Sequence, residues 1–367
     1  QRRGHSVTIL TSRYSKDLPA DETQNGVRIV RAPVLFRISK GVIMPTFGWL
    51  ASKLVAAHDV IQLHLPQFDA AGVALRGRIL RKPTVITYHC DLIMPPGMLS
   101  GLANSAVNLM NHLAARFTHR IVTYTRDYAD HSPYMNRYLK KVVIIPPPVV
   151  LPQVDDQRIS ALAQRMNPEG KHPVIGMAAR FATEKGVEIL LNALPAVLDR
   201  FPQAMVCFAG PYANIPGEEH YYNRLSDRIQ ELQSKGQWIF TGSLNPQEMA
   251  AFYPNLDLLV MPSLNSTESF GLVQIEAMMN GVPCVTADLP GVRQPVNIHK
   301  MGQIFPVGDS AAMAQAIINV LLNGRETLVK DPGMTQRYAP DSVAAEYERL
   351  FAQVESEINK PTAGGGL

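Results

Sequence analysis

The run PVIGMAARFATEKGVEILLNALPAVLDR, residues 173–200, decides the fold class. Its first seven residues carry no charge and read as a strand covered on both faces, the state of a strand inside a parallel sheet. From Gly186 to Arg200 the pattern is helical, and the loop between holds Arg180 and Lys185. Strand, loop and helix make half of a β-α-β crossover, and the alternation continues outward in both directions. Downstream, Ala204–Ala209, Trp238–Thr241, Leu256–Met261, Pro283–Ala287 and Gly302–Phe305 read as strands. Helical patterns cover Glu218–Lys235, Pro246–Tyr253, Phe270–Asn280 and Ser310–Asn323, and a last one runs from Ser342 to Val354. Upstream, the strands are Ser6–Thr11, Val27–Arg31, Asp59–His64, Thr84–His89, Arg120–Tyr124 and Lys141–Ile145, with a helix over Leu99–Phe117.

The alternation stops once. Pro146-Pro147-Pro148 cannot donate backbone hydrogen bonds, and the polar Gln153-Val154-Asp155-Asp156 follows. The expected architecture is therefore α/β, with two Rossmann-like domains whose parallel sheets face a central cleft. Residues 1–150 form the first domain and 151–338 the second. Residues 339–357 form a C-terminal helix packing back toward the first, and 358–367 a flexible tail. Ligands of such sheets bind just beyond the carboxyl ends of the strands.

At 367 residues, with 46% hydrophobic and 18% charged side chains, the composition is that of a soluble globular protein. No apolar run is long enough to cross a bilayer. Cys90, Cys207 and Cys284 lie far apart, which points to a reducing, cytoplasmic compartment without disulfides or a zinc site. The net charge of +4 is unevenly spread: residues 1–150 hold 19 basic and 8 acidic side chains, the remainder 16 and 23. A basic first half suits an anionic partner, either a membrane surface or a phosphate-bearing lipid, with a solvated basic surface that has no partner as its equal alternative. No nucleic-acid-binding motif accompanies it, so nucleic acid is not expected. The stretch Phe36–Val55, with Arg37, Lys40, Trp49 and Lys53, is a candidate interfacial segment for peripheral contact with the inner face of a membrane, and ordinary surface packing is its equal alternative.

Candidate chemistry lies just after strands. Arg180 and Lys185 sit beside a helix start, where two cations suit a departing pyrophosphate. In the stretch from Pro262 to Met278, Glu268 and Glu276 are eight positions apart around a small-residue turn. Glu268 is expected in the loop and Glu276 inside the following helix, with backbone amides at Ser269, Phe270 and Gly271 heading that helix. Carboxylates there accept hydrogen bonds from vicinal sugar hydroxyls. In the first half, His89 and Asp91 end a strand in Thr87-Tyr88-His89-Cys90-Asp91, and His64 ends another as a weaker acceptor-side candidate.

Taken together these segments resemble glycosyltransferase family 4, the retaining GT-B enzymes (glycosyl transferases group 1), from Gly4-His5-Ser6-Val7-Thr8 to about Asp309. The most specific element is Glu-x7-Glu, Glu268 to Glu276, followed by Asn280-Gly281-Val282-Pro283, with Gly210-Pro211, Thr241-Gly242 and Pro262-Ser263 as further landmarks. The resemblance implies a hexosyltransferase using a nucleotide-diphosphate sugar and a hydroxyl acceptor (sugar, lipid-linked or other), with no cofactor and no metal. Its place would be glycoconjugate or cell-envelope polysaccharide synthesis. Arg180 and Lys185 would neutralise the diphosphate. Glu268 and His89 would meet the transferred sugar, and Glu276 the donor ribose. The amides of Ser269, Phe270, Gly271 and Leu272 would reach the sugar and distal phosphate. Gly210, Thr241, Gly242 and Leu244 would lie near the nucleotide.

There are departures. The family begins with a strand and a glycine-rich loop, whereas Arg2-Arg3-Gly4-His5 resembles the end of the helix that follows them. A central strand is thus expected to be missing from the first sheet, and the chain as it stands to be unstable or inactive. No Asp-x-Asp occurs, so protein cations are expected to replace a metal. Rival readings are a nucleotide-sugar epimerase or glycan phosphorylase on the same scaffold, a dinucleotide oxidoreductase (without Gly-x-Gly-x-x-Gly in this sequence), and an inactive sugar-nucleotide-binding module.

Overall fold

A computed structural model describes residues 1–38, 41–92, 98–324 and 331–360. By its internal contacts the chain divides into two compact units, one of Gln1–Tyr88, Met94–Val122 and Arg349–Leu367, the other of His89–Ile93 and Thr123–Glu348.

In the first unit, β1 (Thr8–Arg13), β2 (Asp21–Gln24) and β3 (Val27–Pro33) form a sheet in the order β1-β3-β2, parallel between β1 and β3 and antiparallel between β2 and β3. β4 (Phe36–Ile38) and β5 (Gly41–Ile43) pair as an antiparallel ribbon. β6 (Ile61–Leu65), β7 (Thr84–Tyr88) and β8 (Arg120–Thr123) run parallel in a sheet separate from β1 and β3. The β6–β8 sheet is the core of the unit, with Val85, Ile86 and Ile121 fully buried. Helices Ala70–Ile79 and Met98–Phe117 bury their alanine-rich faces at Ala70, Ala74, Ala114 and Ala115. The helix Pro340–Asn359 ends in this unit: Leu350 and Val354 are buried, Glu357 pairs with Arg120 at 2.5 Å, and Arg81 donates to the Ile358 carbonyl at 2.9 Å.

Phe36–Val55 becomes β4, β5 and most of a helix, Phe47–Ala57, with Lys40 outside the described residues. Leu35, Phe36 and Trp49 stand exposed, Trp49 with 67% of its surface in solvent and Lys53 over its ring at 5.7 Å. The strand β2 was not expected, because Asp21-Glu22-Thr23-Gln24 has no apolar alternation; it is held as an edge strand by β3.

The second unit begins after β7 and includes β9 (Val142–Ile144). Its centre is a six-stranded parallel sheet of β10 (Val174–Ala178), β11 (Met205–Ala209), β12 (Trp238–Gly242), β13 (Leu258–Met261), β14 (Cys284–Ala287) and β15 (Gly302–Phe305), in the order β12-β11-β10-β13-β14-β15. Alternate side chains feed two apolar layers. Ile175, Met177, Val206, Phe208 and Val260 meet helices Val187–Arg200, Glu219–Ser234 and Ser310–Asn323. Val174, Met205, Cys207 and Leu259 meet helices Asp156–Met166, Pro246–Phe252 and Leu272–Met279. Both faces are covered, which is why these strands read as unbroken apolar runs.

The strand order reverses between β10 and β13, so the loops after these two strands diverge around an open point, the place where doubly wound sheets bind ligands. Gly186 makes their close approach possible. Its φ is +71°, and a Cβ there would sit 2.0 Å from the Pro262 carbonyl oxygen. Gly186→Ala is expected to cost about 3 kcal/mol from left-handed strain plus the clash with fixed backbone. Equilibrium urea denaturation measures it, and a loss under about 1 kcal/mol would contradict the packing described.

Candidate active site

The loop after β10 is anchored by Phe181, which is fully buried among the rings of Phe208, Tyr221, Tyr222 and Phe240. This anchor leaves Arg180 on one side, in solvent, and a single 3-10 turn, Thr183–Lys185, on the other. Glu218 fixes the turn by accepting from the Thr183 amide at 2.9 Å and its hydroxyl at 2.7 Å. The Leu264 amide donates to the Glu184 carbonyl at 2.9 Å, tying the turn to the loop after β13.

These constraints bring Lys185 to Glu268. The ammonium lies 2.7 Å from the carboxylate, and each side chain retains about a fifth of its exposure, 22% and 21%. Arg180 reaches Glu184 at 2.5 Å. Both sequence-selected cations are thus counter-charged, one by the expected acid and one by an acid that sequence reading did not select. Glu268 lies in the loop and Glu276 inside the helix Leu272–Met279. The eight-residue spacing therefore does not put the two on one helical face.

Glu276 is half-buried and receives a hydrogen bond from the Tyr253 hydroxyl. Burial raises its pKa above the ordinary carboxylate range, and the tyrosine hydrogen bond offsets only part of that rise. Gly271 takes the left-handed conformation, φ +83°, where the loop turns into the helix; a Cβ would meet the Met261 sulfur at 2.5 Å. The Ser269–Leu272 backbone heads this helix, where amides lack intrahelical acceptors. The Phe270 ring is buried against Tyr124 and Tyr338, which leaves only its backbone for ligand contact.

His89, Cys90 and Asp91 belong to the same unit. The Ser269 hydroxyl donates to the His89 carbonyl, and His89 Nδ1 lies 2.5 Å from the Tyr124 hydroxyl. Burial raises the Cys90 thiol pKa; the charges of Glu268 and Asp91 add to that rise and the Lys185 ammonium opposes it, so this turn is within electrostatic reach of the ion pair. Asp91 accepts the Ser132 hydroxyl at 2.5 Å.

The residues selected near a nucleotide are more dispersed. Gly210 follows β11 and Gly242 ends β12, joined by a 2.9 Å bond from the Gly210 amide to the Gly242 carbonyl. A Cβ on Gly210 would lie 2.0 Å from the Ala179 oxygen, next to Arg180. Thr241 bonds locally, to the Phe208 and Gly242 carbonyls. Leu244 packs on the apolar layer below the sheet. His64 lies on β6 of the first unit. Among the described residues no group of three or more His, Cys, Asp or Glu side chains is placed to hold a metal ion.

Sequence reading missed the supporting residues Tyr124, Ser132, Glu184, Glu218 and Tyr253. Their partners are distant in sequence or their own motifs ordinary, and only the folded sheet brings them together.

The profile of the "glycosyl transferases group 1" family matches residues 160–334, and that of a "glycosyl transferase 4-like domain" matches residues 1–148. An uncharacterized glycosyltransferase of Methanocaldococcus jannaschii is 24% identical over 95% of this chain and 90% of its own. The phosphatidyl-myo-inositol mannosyltransferase of Mycobacterium tuberculosis is 25% identical over 96% of this chain and 89% of its own. Among solved structures, sucrose-phosphate synthase of Thermosynechococcus elongatus superposes with a TM-score of 0.68 at 17% identity, covering 97% of this chain and 90% of that one. The Anabaena protein HepE, solved with UDP and glucose, gives 0.64 at 21% identity over 96% and 98% of the two chains.

Glu276 supplies a prediction independent of any ligand. A carboxyl whose folded pKa is raised contributes stability below its unfolded pKa, and this contribution is lost as pH climbs through the folded value. Glu276→Gln keeps an acceptor for Tyr253 but cannot ionise. Its melting temperature is expected to exceed that of the parent near pH 8, with the gap closing toward pH 4. Thermal melts across that range check this, and a gap independent of pH would refute it.

Proposed function

We propose, for a chain that belongs to the group 1 glycosyltransferases of family 4 and carries their GT-B fold, that it moves a hexosyl group from a nucleotide-diphosphate sugar to a hydroxyl acceptor with retention of configuration. The observation that carries the reading is the Lys185–Glu268 pair at the switch point of the second sheet. A carboxylate there accepts hydrogen bonds from the donor sugar, and an ammonium beside it meets negative charge growing on the leaving phosphate. Arg180, 45% exposed and on the same loop, supplies a second cation. Glu276 takes the ribose hydroxyls, which hydrate a carboxylate that burial otherwise disfavours. The amides of Ser269–Leu272 serve the sugar and distal phosphate, and His89 the sugar.

In the proposed step the acceptor oxygen approaches the anomeric carbon on the face that the diphosphate leaves. The carbon–oxygen bond to phosphate breaks with its electron pair on the phosphate. The acceptor proton passes to that phosphate oxygen as the new glycosidic bond forms. Charge, atoms and configuration balance without a side-chain nucleophile, and the protein cations do the work of charge neutralisation, with no metal or other cofactor required. Lys185→Ala is expected to lower kcat about 100-fold, and Glu276→Ala to raise donor KM about 10-fold or more. Kinetics with UDP-, GDP- and ADP-sugars test both, and near-parental constants in the two variants would reject the assignments.

The acceptor class rests on relatives and charge. Two further relatives are a 2-deoxystreptamine glucosyltransferase of Streptomyces kanamyceticus and a GDP-mannose-dependent alpha-mannosyltransferase of Mycobacterium tuberculosis, and the relative named for phosphatidyl-myo-inositol implies a lipid acceptor for that protein. Among the described residues no helix is long and apolar enough to cross a membrane. The first unit carries the excess of basic side chains together with exposed Leu35, Phe36 and Trp49. The phosphatidyl-myo-inositol relative, the basic charge and the exposed apolar side chains support a lipid-linked acceptor and peripheral binding to the cytoplasmic face of a membrane, within glycoconjugate or cell-envelope polysaccharide synthesis, with His64 among the acceptor-side contacts; the 2-deoxystreptamine relative favours a free sugar-like acceptor instead. Co-sedimentation with anionic vesicles is expected to exceed that with neutral ones several-fold and to weaken on Trp49→Ala; equal partition between the two lipids would count against it.

A further inference from the structure

Tyr128 is 1% exposed on the short helix Arg126–His131, whose start Thr125 caps by accepting the Tyr128 amide at 3.1 Å. Its hydroxyl makes two bonds of opposite sense. It accepts from the Asp91 amide at 2.6 Å and donates to the Ser266 carbonyl at 3.1 Å. Ser266 stands two residues before Glu268, and Asp91 two residues after His89. Both stretches are irregular, so neither a helix nor a sheet ladder fixes their positions. One phenol oxygen therefore spans the turn that bears the histidine and the loop that bears the acid.

The surroundings hold Tyr128 to that task. Asp127, its neighbour, accepts from the Gly291 amide at 2.9 Å and from Arg293 through both carboxylate oxygens, at 2.9 and 2.6 Å. At Gly291 a side chain would run into the Ser269 carbonyl at 2.1 Å and the Tyr128 Cβ at 3.1 Å, so the helix and the loop touch along bare backbone. The Ser132 hydroxyl, from the end of the same helix, binds the Asp91 carboxylate.

We infer that the Tyr128 hydroxyl is a positioning group that keeps the His89 turn and the Glu268 loop in register so that both meet one donor sugar. The inference rests on the roles proposed above for His89 and Glu268. Removing the oxygen leaves a buried amide and a carbonyl without this partner while the ring still fills its space, so the loop loosens without a cavity forming.

Tyr128→Phe tests this by two readouts. Hydrogen exchange of the amides in residues 264–271 is expected to accelerate about 10-fold or more, with exchange in β10 and β11 unchanged. In donor kinetics kcat is expected to fall about 10-fold while donor KM moves less than threefold, because Glu276 and the Gly271 helix start are left in place. Tyr134→Phe, which also removes a phenol oxygen from a buried residue of this unit, controls for general loosening and is expected to leave kcat within twofold. Unchanged exchange in residues 264–271, or a Tyr134→Phe effect equal to that of Tyr128→Phe, would overturn the inference. Exchange needs no acceptor and no turnover, so this readout decides the role of Tyr128 whether or not the chain turns over any nucleotide sugar.

Discussion

Two loops that leave neighbouring strands in opposite directions are brought back into contact, and an ammonium and a carboxylate meet where they touch. The Lys185–Glu268 contact depends on the reversal of strand order between β10 and β13, and on a bare glycine at position 186 against Pro262. Without the reversal the loops would run side by side over one face of the sheet. Without the glycine they could not close to 2.7 Å across it. The ring cluster around Phe181 and the bond from the Leu264 amide to the Glu184 carbonyl keep these loops from drifting.

The pair adds little to stability. At about one-fifth exposure its Coulomb attraction is set against the cost of taking both charges out of water, and such pairs contribute on the order of 1 kcal/mol or less. Glu276 is destabilising in the same sense, since burial raises its pKa with only a tyrosine hydroxyl to offset it. On the proposed reading these polar groups are retained for what they bind. The apolar layers on either face of the sheet, with Ile175, Val206 and Leu258 fully buried, hold the unit together without help from the loop charges.

The second sheet was legible because its four inner strands, β10, β11, β13 and β14, are buried on both faces and therefore read as largely apolar runs; predicted and observed strand limits in this sheet differ by at most two residues, as for Leu256–Met261 against Leu258–Met261. The helix Ser310–Asn323 was read to the residue, its start marked by Asp309 and its end by Gly324. The first unit was less legible. Helix Ala70–Ile79 is built mostly from alanine, glycine and arginine, and no amphipathic contrast announces it. β4 and β5 are three residues each, too short for a period. Among the candidate residues, Lys185, Glu268 and Glu276 were selected because each follows or enters an element at a motif-like spacing. Tyr253, Tyr124 and Tyr128 could not. Each is an ordinary aromatic in an apolar stretch, and its hydroxyl acquires meaning only from a partner 23 to 138 residues away.

The counter-charges constrain what the site can accept. Lys185 is matched by Glu268 and Arg180 by Glu184, so the four charges cancel before any ligand arrives. On the proposed reading a diphosphate would bring about two negative charges into that balance, and the cations would serve it only by releasing or sharing their carboxylates. Sharing is the cheaper course for Lys185, whose three donor protons can face an acid and a phosphate oxygen together. It also leaves Glu268 free to turn its second oxygen to a sugar hydroxyl. The remaining charge would fall to oriented amides, since the left-handed Gly271 turns that same loop into the start of the helix Leu272–Met279. On the proposed reading the acid is therefore as necessary as the base: it keeps the ammonium in place and partly neutralised until a ligand with both a phosphate and a hydroxyl engages the two together, which selects for an activated sugar over a bare phosphate.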